Sequence, residues 1–125
     1  MTHEKAAASK RVLIVEDELM IRMLLEGMLT DLGHSVAAEA GGLDEAISLA
    51  KQAEFDLAVL DVNLNGTSVT PVVEILLERG VPFIFASGYG QRGLPEAYRT
   101  APVLQKPFQA EALEQAIQAV ASGAA

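Results

Sequence analysis

Apolar runs of strand length alternate along the chain with stretches of helical period. Three continuous runs, RVLIVE (11–16), DLAVLD (56–61) and PFIFAS (82–87), are typical of strands that are buried on both faces. Two weaker runs, SVAAE (35–39) and APVLQ (101–105), complete a predicted set of five strands.

The segments between the strands carry apolar residues spaced three and four apart, which indicates amphipathic helices. The helix before the last strand is poorly defined because Gly88, Gly90 and Gly93 each disfavour helix by about 1 kcal/mol. We therefore expect it to be short, late or mobile. The predicted inward residues are Ile21, Leu24, Leu25, Met28 and Leu32 in the first helix, Ala46, Leu49, Ala50 and Ala53 in the second (43–53), Val69, Val72, Val73 and Leu76 in the third, and Leu113, Ala116, Ile117 and Val120 in the last.

Strand and helix alternate five times, which predicts an α/β fold with a parallel sheet and helices on both faces. For five strands we expect a flavodoxin-like (βα)5 domain with strand order 2-1-3-4-5. We expect residues 1–10 to form a disordered N-terminal tail, residues 11–122 the domain, and residues 123–125 a C-terminal tail.

Composition narrows the function classes. The 125 residues are half hydrophobic, enough for one domain with its own core. The chain has no cysteine, which excludes disulfides and thiolate chemistry. It has neither a signal-peptide-like start nor an apolar run of membrane-spanning length, so we expect a cytoplasmic protein that binds no membrane. The net charge of −8 argues against binding to nucleic acid.

Polar side chains follow four of the five strands where each strand ends. Glu16 and Asp17 follow the first strand, Asp61 the third, Ser87 the fourth and Lys106 the fifth. Ligands bind at this edge of a parallel sheet. Two carboxylates about 5 Å apart repel by roughly 3 kcal/mol, a penalty that Mg²⁺ removes. One carboxylate could then attack a phosphoryl donor, while the ammonium and the hydroxyl bind the new phosphoryl group. Each residue alone has an ordinary explanation, such as a helix N-terminal acid or a turn former.

The same residues resemble the receiver domain of two-component response regulators. VEDE (15–18) resembles the acidic pair of that family, LDVNLNG (60–66) the phosphoacceptor segment, and QKPF (105–108) the Lys-Pro segment, while Ser87 occupies the place of its Ser/Thr. The resemblance covers about residues 10–122.

The resemblance implies a role for each site residue. Asp61 would accept a phosphoryl group from a histidine kinase. Asp17 would bind Mg²⁺ (or Mn²⁺) directly, together with Asp61 and the backbone carbonyl of Asn63, and Glu16 would act through a metal-bound water. Ser87 and Lys106 would bind phosphoryl oxygens and couple phosphorylation to the following loop, and the peptide bond before Pro107 would be cis.

The stretch PFIFASGYG (82–90) resembles the FAT GUY receivers, with Ser87 where Thr is usual. That subgroup implies stand-alone receivers that work with HWE or HisKA2-type kinases, often in stress signalling. Two departures stand out: Val103 occupies the position of the usual aromatic switch residue, and NLNGTS after Asp61 lacks the proline often found there. We hypothesise that Tyr89 moves with its loop instead.

These observations predict a stand-alone, monomeric phosphoacceptor that is not a turnover enzyme and that is phosphorylated by a histidine kinase or a histidine phosphotransfer protein. Alternatives within the class are a phosphate sink for a kinase and a pseudo-receiver that only binds proteins. A haloacid-dehalogenase-type phosphatase needs a second acid where this chain has Asn63, and an FMN carrier would meet repulsion from the acidic residues 16–18. His3 and His34 are poor phosphoryl donors and read as surface residues.

Overall fold

The computed structural model describes residues 9–121, and these form a five-stranded parallel sheet with a small hairpin beside it. The sheet order is β2-β1-β3-β6-β7, so the predicted 2-1-3-4-5 order of the five main strands is confirmed. The strands are β1 (Arg11–Val15), β2 (Ser35–Ala40), β3 (Leu57–Asp61), β4 (Asn63–Leu64), β5 (Thr67–Ser68), β6 (Phe83–Ser87) and β7 (Val103–Gln105).

The described residues form four α-helices, which cover both faces of the sheet as predicted. They are α1 (Leu19–Asp31), α2 (Leu43–Gln52), α3 (Thr70–Arg79) and α4 (Ala110–Ala121). The helices α1 and α4 share one apolar core with the sheet, and α2 and α3 share the other. Because β1 and β3 lie between both cores, their side chains are buried on either face. None of the helices among the described residues is long and apolar enough to cross a membrane.

The first helix is less buried than its apolar spacing predicts. Leu25 and Leu29 face the core, but Leu24, which we expected on the same face, has 49% of its surface exposed. It belongs to a cluster of exposed apolar side chains on the first two turns, which we call the α1 patch: Leu19, Met20, Met23 and Leu24.

The fourth helix of the predicted (βα)5 pattern is replaced by two short 3-10 turns, Gly90–Gly93 and Glu96–Tyr98. Glycines lower the helix propensity of this segment, and Pro95 separates the turns. Two side chains still cover the sheet here: Leu94 is 3% exposed, and the ring of Tyr98 lies 6.0 Å from that of Phe85. The segment 88–102 is therefore a packed loop.

A β-hairpin follows the third strand directly. Asn63 pairs with Ser68 and Leu64 with Thr67 in an antiparallel ladder. The turn between them is Asn65-Gly66, with φ values of 50° and 85°. Positive φ at both central residues is the geometry of a type I′ turn, for which Asn-Gly is the favoured sequence. This hairpin was not predicted from the sequence.

The N-terminal end of the sheet is held by a buried histidine. His34, which we expected at the surface, is 8% exposed. Its Nδ1 accepts a hydrogen bond from the backbone N–H of Lys10 at 3.0 Å, and its Nε2 lies 3.1 Å from Oε1 of Glu114. Ser9 Oγ donates to the carbonyl of Gly33 at 2.8 Å. Both Ser9 and Lys10 fall in the range predicted as a tail; the rest of that prediction, and the C-terminal tail, lie outside the described residues.

Candidate functional site

The carboxyl ends of β1, β3, β6 and β7 bring the predicted site residues to one edge of the sheet. The parallel register aligns Val15 with Leu60, Asp61 with Ala86, and Ser87 with Gln105. Since Glu16 and Lys106 directly follow their strands, five polar side chains from four separate segments of the sequence lie at this edge. These are Glu16, Asp17, Asp61, Ser87 and Lys106.

Three carboxylates form the centre of the site. One oxygen each of Glu16, Asp17 and Asp61 lies within 4.8 Å of the others. Glu16 and Asp61 are buried, with 1% and 8% of their surfaces exposed, while Asp17 is half-buried at the rim. Glu16 Oε1 is buried and accepts no hydrogen bond. An oxygen-rich, partly open cluster of this kind fits the preference of Mg²⁺ for a few carboxylates plus water.

Lys106 bridges two of these carboxylates. Its Nζ lies 3.0 Å from Oε1 of Glu16 and 3.4 Å from Oδ2 of Asp61. The contact with Glu16 is an ion pair without hydrogen-bond geometry, since the same oxygen has no hydrogen-bond partner. Burial alone would lower the pKa of Lys106, but the two carboxylates outweigh it and raise the pKa. The ammonium therefore stays charged beside Asp61. The peptide bond from Lys106 to Pro107 is cis.

The three carboxylates differ in proton affinity. Burial raises the pKa of Glu16 to about 7, against the opposing effects of Lys106 and of the Glu18 backbone N–H. Burial also raises the pKa of Asp61, although the Asn63 N–H and Lys106 lower it. Burial acts in the same direction on Asp17, but hydrogen bonds, first that from the Asn65 N–H, hold the pKa of Asp17 below its ordinary value. Of the three carboxylates, Asp17 at the rim is thus the one whose surroundings most favour the ionised form.

Ser87 ends β6 with its hydroxyl held by the following loop. The side chain is 1% exposed, and its Oγ accepts a hydrogen bond from the N–H of Tyr89 at 3.0 Å. Gly93 lies directly against that oxygen, because a Cβ built on Gly93 would overlap Ser87 Oγ. The loop is therefore fitted to the serine side chain by one hydrogen bond and one close contact.

Tyr89, the predicted switch residue, is 80% exposed. It borders a small groove of about 420 Å³ with Gly88, Arg92 and Gln105. Val103, where an aromatic is usual, is half-buried and packs against the core beneath β7. The exposed aromatic ring of this region is therefore on the loop and not on the strand.

Two parts of the site were not predicted from the sequence. The hairpin reaches Asp17, since the N–H of Asn65 donates to its Oδ2 at 3.1 Å. The Asn-Gly pair could have indicated the turn, but the two-residue strands beside it are too short to show a period. The second part is Gly93, whose contact with Ser87 no sequence pattern indicates.

The chain matches the response regulator receiver domain family over residues 12–118 and belongs to that family. Domains of this family are signalling modules and not turnover enzymes; they generally bind Mg²⁺ at an acidic pocket and interact with histidine kinases or phosphotransfer proteins. The fold and the acidic cluster described above agree with this membership.

Three relatives illustrate the similarity. The transcriptional regulatory protein PdtaR of Mycobacterium tuberculosis is 37% identical over 97% of this chain, but the chain spans only 61% of that protein's length. The solution structure of SdrG from Sphingomonas melonis Fr1 is 38% identical, with a TM-score of 0.82 and coverage of 90% of this chain and 97% of that one. The receiver domain of Erythrobacter litoralis PhyR is 34% identical, with a TM-score of 0.79 and coverage of 94% and 93%.

Proposed function

We propose that this chain is a cytoplasmic receiver in a phosphorelay, in which Asp61 accepts a phosphoryl group from a histidine kinase or phosphotransfer protein. The observation that carries the proposal is the placement of Asp61 beside Lys106 Nζ at 3.4 Å, in a cluster with Glu16 and Asp17. That arrangement supplies a nucleophile, a cation for the transferred group, and carboxylates for a metal.

In the transfer, the P–N bond of the donor's phosphohistidine breaks and a P–O bond to a carboxylate oxygen of Asp61 forms. Mg²⁺, held by Asp17, Asp61 and the Asn63 carbonyl, with Glu16 acting through water, would offset the charge of the carboxylates and the phosphoryl oxygens. Lys106 already stands beside Asp61 and binds the phosphoryl group as a cation without further rearrangement.

Phosphorylation would be transmitted through Ser87. The phosphoryl group carries about −1.5 to −2 charges where the Asp61 carboxylate carried −1, and its oxygens compete with the loop for the serine hydroxyl. When Ser87 Oγ turns to a phosphoryl oxygen, it leaves the Tyr89 N–H and the surface of Gly93 that it now contacts. The loop 88–94 then takes a different conformation and carries Tyr89 with it.

The α1 patch supports a protein as the phosphoryl donor. α1 begins three residues after Glu16, so its first two turns border the acidic edge of the sheet. Four large apolar side chains are exposed there, Met20 at 81%. Contiguous exposed apolar surface marks interaction sites, and a donor histidine can reach Asp61 only if its protein covers this rim.

The biological setting follows from similarity. PFIFASGYG resembles the FAT GUY receivers, for which HWE or HisKA2-type kinases are implied. One solved PhyR structure, 32% identical to this chain, is described as that of a stress response regulator. Both favour stress signalling as the pathway in which this chain works.

The central test is phosphorylation of the purified protein by acetyl phosphate and Mg²⁺, followed by intact mass measurement. Wild type should gain one phosphoryl group, and Asp61→Asn should gain none. Asp56→Asn is a matched control, because Asp56 precedes the opposite end of the same strand, where it pairs with Arg11; it should be labelled like wild type. Equal labelling of Asp61→Asn and wild type would refute the proposal.

The proposed loop response needs its own measurement. Backbone relaxation by NMR, with and without beryllofluoride, reports the mobility of residues 88–98 in the two states. Equal rigidity in both states would rule out the switch at Tyr89 and leave the phosphoacceptor assignment intact.

A further inference from the structure

The hairpin β4–β5 contacts two of the carboxylates that the proposed function assigns to the metal. The N–H of Asn63 donates to Asp61 Oδ1 at 3.2 Å, and the N–H of Asn65 donates to Asp17 Oδ2 at 3.1 Å. The two donors are two residues apart in one short segment. They bind carboxylates that come from two different strands of the sheet.

The hairpin is held independently of these two bonds. Leu64 is 2% exposed and packs in the core with Val69. The N–H of Gly66 donates to Oδ1 of Asn63 at 2.6 Å, which closes the turn on itself. The direction of the Asn65 backbone N–H is therefore set by the β-ladder, the turn and the buried Leu64, and not by the Asp17 carboxylate to which it donates.

Hydrogen bonds from this rigid backbone segment fix the orientation of the two carboxylates. Asp17 is half-buried at the rim, where a carboxylate without a partner is free to rotate. The donor on Oδ2 of Asp17 leaves Oδ1 of that residue available for a cation, whereas the second oxygen of Asp61 faces Lys106 Nζ at 3.4 Å. Bonds to metal ligands of this kind commonly change metal affinity by about 10- to 100-fold when they are lost.

We infer that the hairpin formed by residues 63–68 is a positioning element for the divalent cation site, which holds Asp17 and Asp61 through the backbone N–H groups of Asn65 and Asn63. The inference rests on the proposed function, since it assumes that these aspartates bind the metal. It adds that the backbone of the Asn65-Gly66 turn sets the affinity for Mg²⁺ by orienting these aspartates.

Two glycine variants provide a matched pair to test this. Gly66 has φ 85° and Gly80, at the end of α3, has φ 71°, and a Cβ at either position would meet no other atom within 4 Å. Alanine is therefore strained at both positions to a similar degree and clashes at neither. Only Gly66→Ala disturbs the turn that aims the Asn65 N–H.

The measurement is a Mg²⁺ titration followed by amide NMR shifts, which reports the fold and the Kd together. We expect Gly66→Ala to weaken Mg²⁺ binding about tenfold and Gly80→Ala to stay within twofold of wild type. Equal Kd values for the two variants would overturn the inference. Asn65→Pro removes the N–H and also breaks the turn, because proline fixes φ at about −65° where Asn65 has 50°. It should bind at least tenfold more weakly, and a folded Asn65→Pro with the wild-type Kd would also overturn the inference.

The result separates the inference from the proposed function. Wild type that binds no Mg²⁺ contradicts the metal site itself and, with it, the inference. Wild type that binds Mg²⁺ while both hairpin variants bind equally well contradicts the inference alone. If Asn65→Pro does not fold, the comparison of Gly66→Ala with Gly80→Ala decides.

Discussion

Replacing Gly93 by alanine measures how closely the loop after β6 is fitted to Ser87. The added Cβ would overlap Ser87 Oγ, while the next nearest atoms are Tyr89 Cβ at 3.3 Å and Ser87 Cβ at 3.4 Å. To relieve the overlap, the serine must give up its hydrogen bond from the Tyr89 N–H, which contributes about 1 kcal/mol. Shifting a packed neighbour costs about 1–3 kcal/mol more. We expect Gly93→Ala to lower the free energy of unfolding by about 2 kcal/mol.

The decisive measurement is a double-mutant cycle by urea unfolding. In a Ser87→Ala background the overlapping oxygen is gone, and the remaining contacts at 3.3 and 3.4 Å are tight but require only small shifts of the neighbouring atoms. The cost of Gly93→Ala should then fall below about 1 kcal/mol, which gives a coupling energy of about 1–2 kcal/mol. If Gly93→Ala is equally destabilising in both backgrounds, its effect does not act through Ser87, and the loop is not fitted to the serine as described.

Three further predictions concern the protonation of Glu16, phosphoryl transfer from a kinase, and His34 at the N-terminal end of the sheet. Burial raises the pKa of Glu16 from 4.5 to about 7, so between these pH values the native state keeps a proton that the unfolded chain releases. In EDTA, the free energy of unfolding of wild type should fall by about 3 kcal/mol relative to Glu16→Gln as pH rises from 4.5 to above 7, measured by urea unfolding at several pH values. Met20→Glu should slow phosphoryl transfer from a phosphorylated kinase at least tenfold without changing the rate of labelling by acetyl phosphate. Leu77→Glu, at an exposed leucine on α3, is the control and should change neither rate. His34→Ala should lower the free energy of unfolding by about 1–3 kcal/mol, since the N–H of Lys10 loses its acceptor; a change below about 0.5 kcal/mol in urea unfolding would refute that role.

The main strands and the ends that carry the chemistry were predictable because each depends on a local pattern. A continuous apolar run indicates a buried strand, and a polar residue that ends it is placed by the sheet at the common edge. This is why Asp61 and Lys106, which are far apart in the sequence, could be predicted from the sequence alone to lie close together.

What the sequence did not predict depends on contacts between distant segments. His34 has the composition of a surface turn, and only its hydrogen bonds to Lys10 and Glu114 explain its burial. Leu24 falls on the predicted inner face of α1, yet the sheet covers only a narrower stripe of that helix. The bond from Asn65 to Asp17 joins positions 48 apart, and no periodicity reports it.

The missing fourth helix makes the stability of the sheet uneven. On the face that carries α2 and α3, the two helices are joined by hydrogen bonds, because Arg79 of α3 donates to the carbonyls of Ala50 and Ala53 at the end of α2. The edge of the sheet at β7, by contrast, is a three-residue strand beside a loop of two short turns. The opening free energies for hydrogen exchange should therefore be much lower for the backbone amides of the loop that follows Ser87 than for those of β1 or β3.

A conformation of that loop that is populated at 1% lies about 3 kcal/mol above the ground state. A phosphoryl group on Asp61 can supply a free-energy difference of that size between the two loop conformations. The conformational response can therefore stay on the side of the domain that carries the loop, while the acidic pocket keeps its shape.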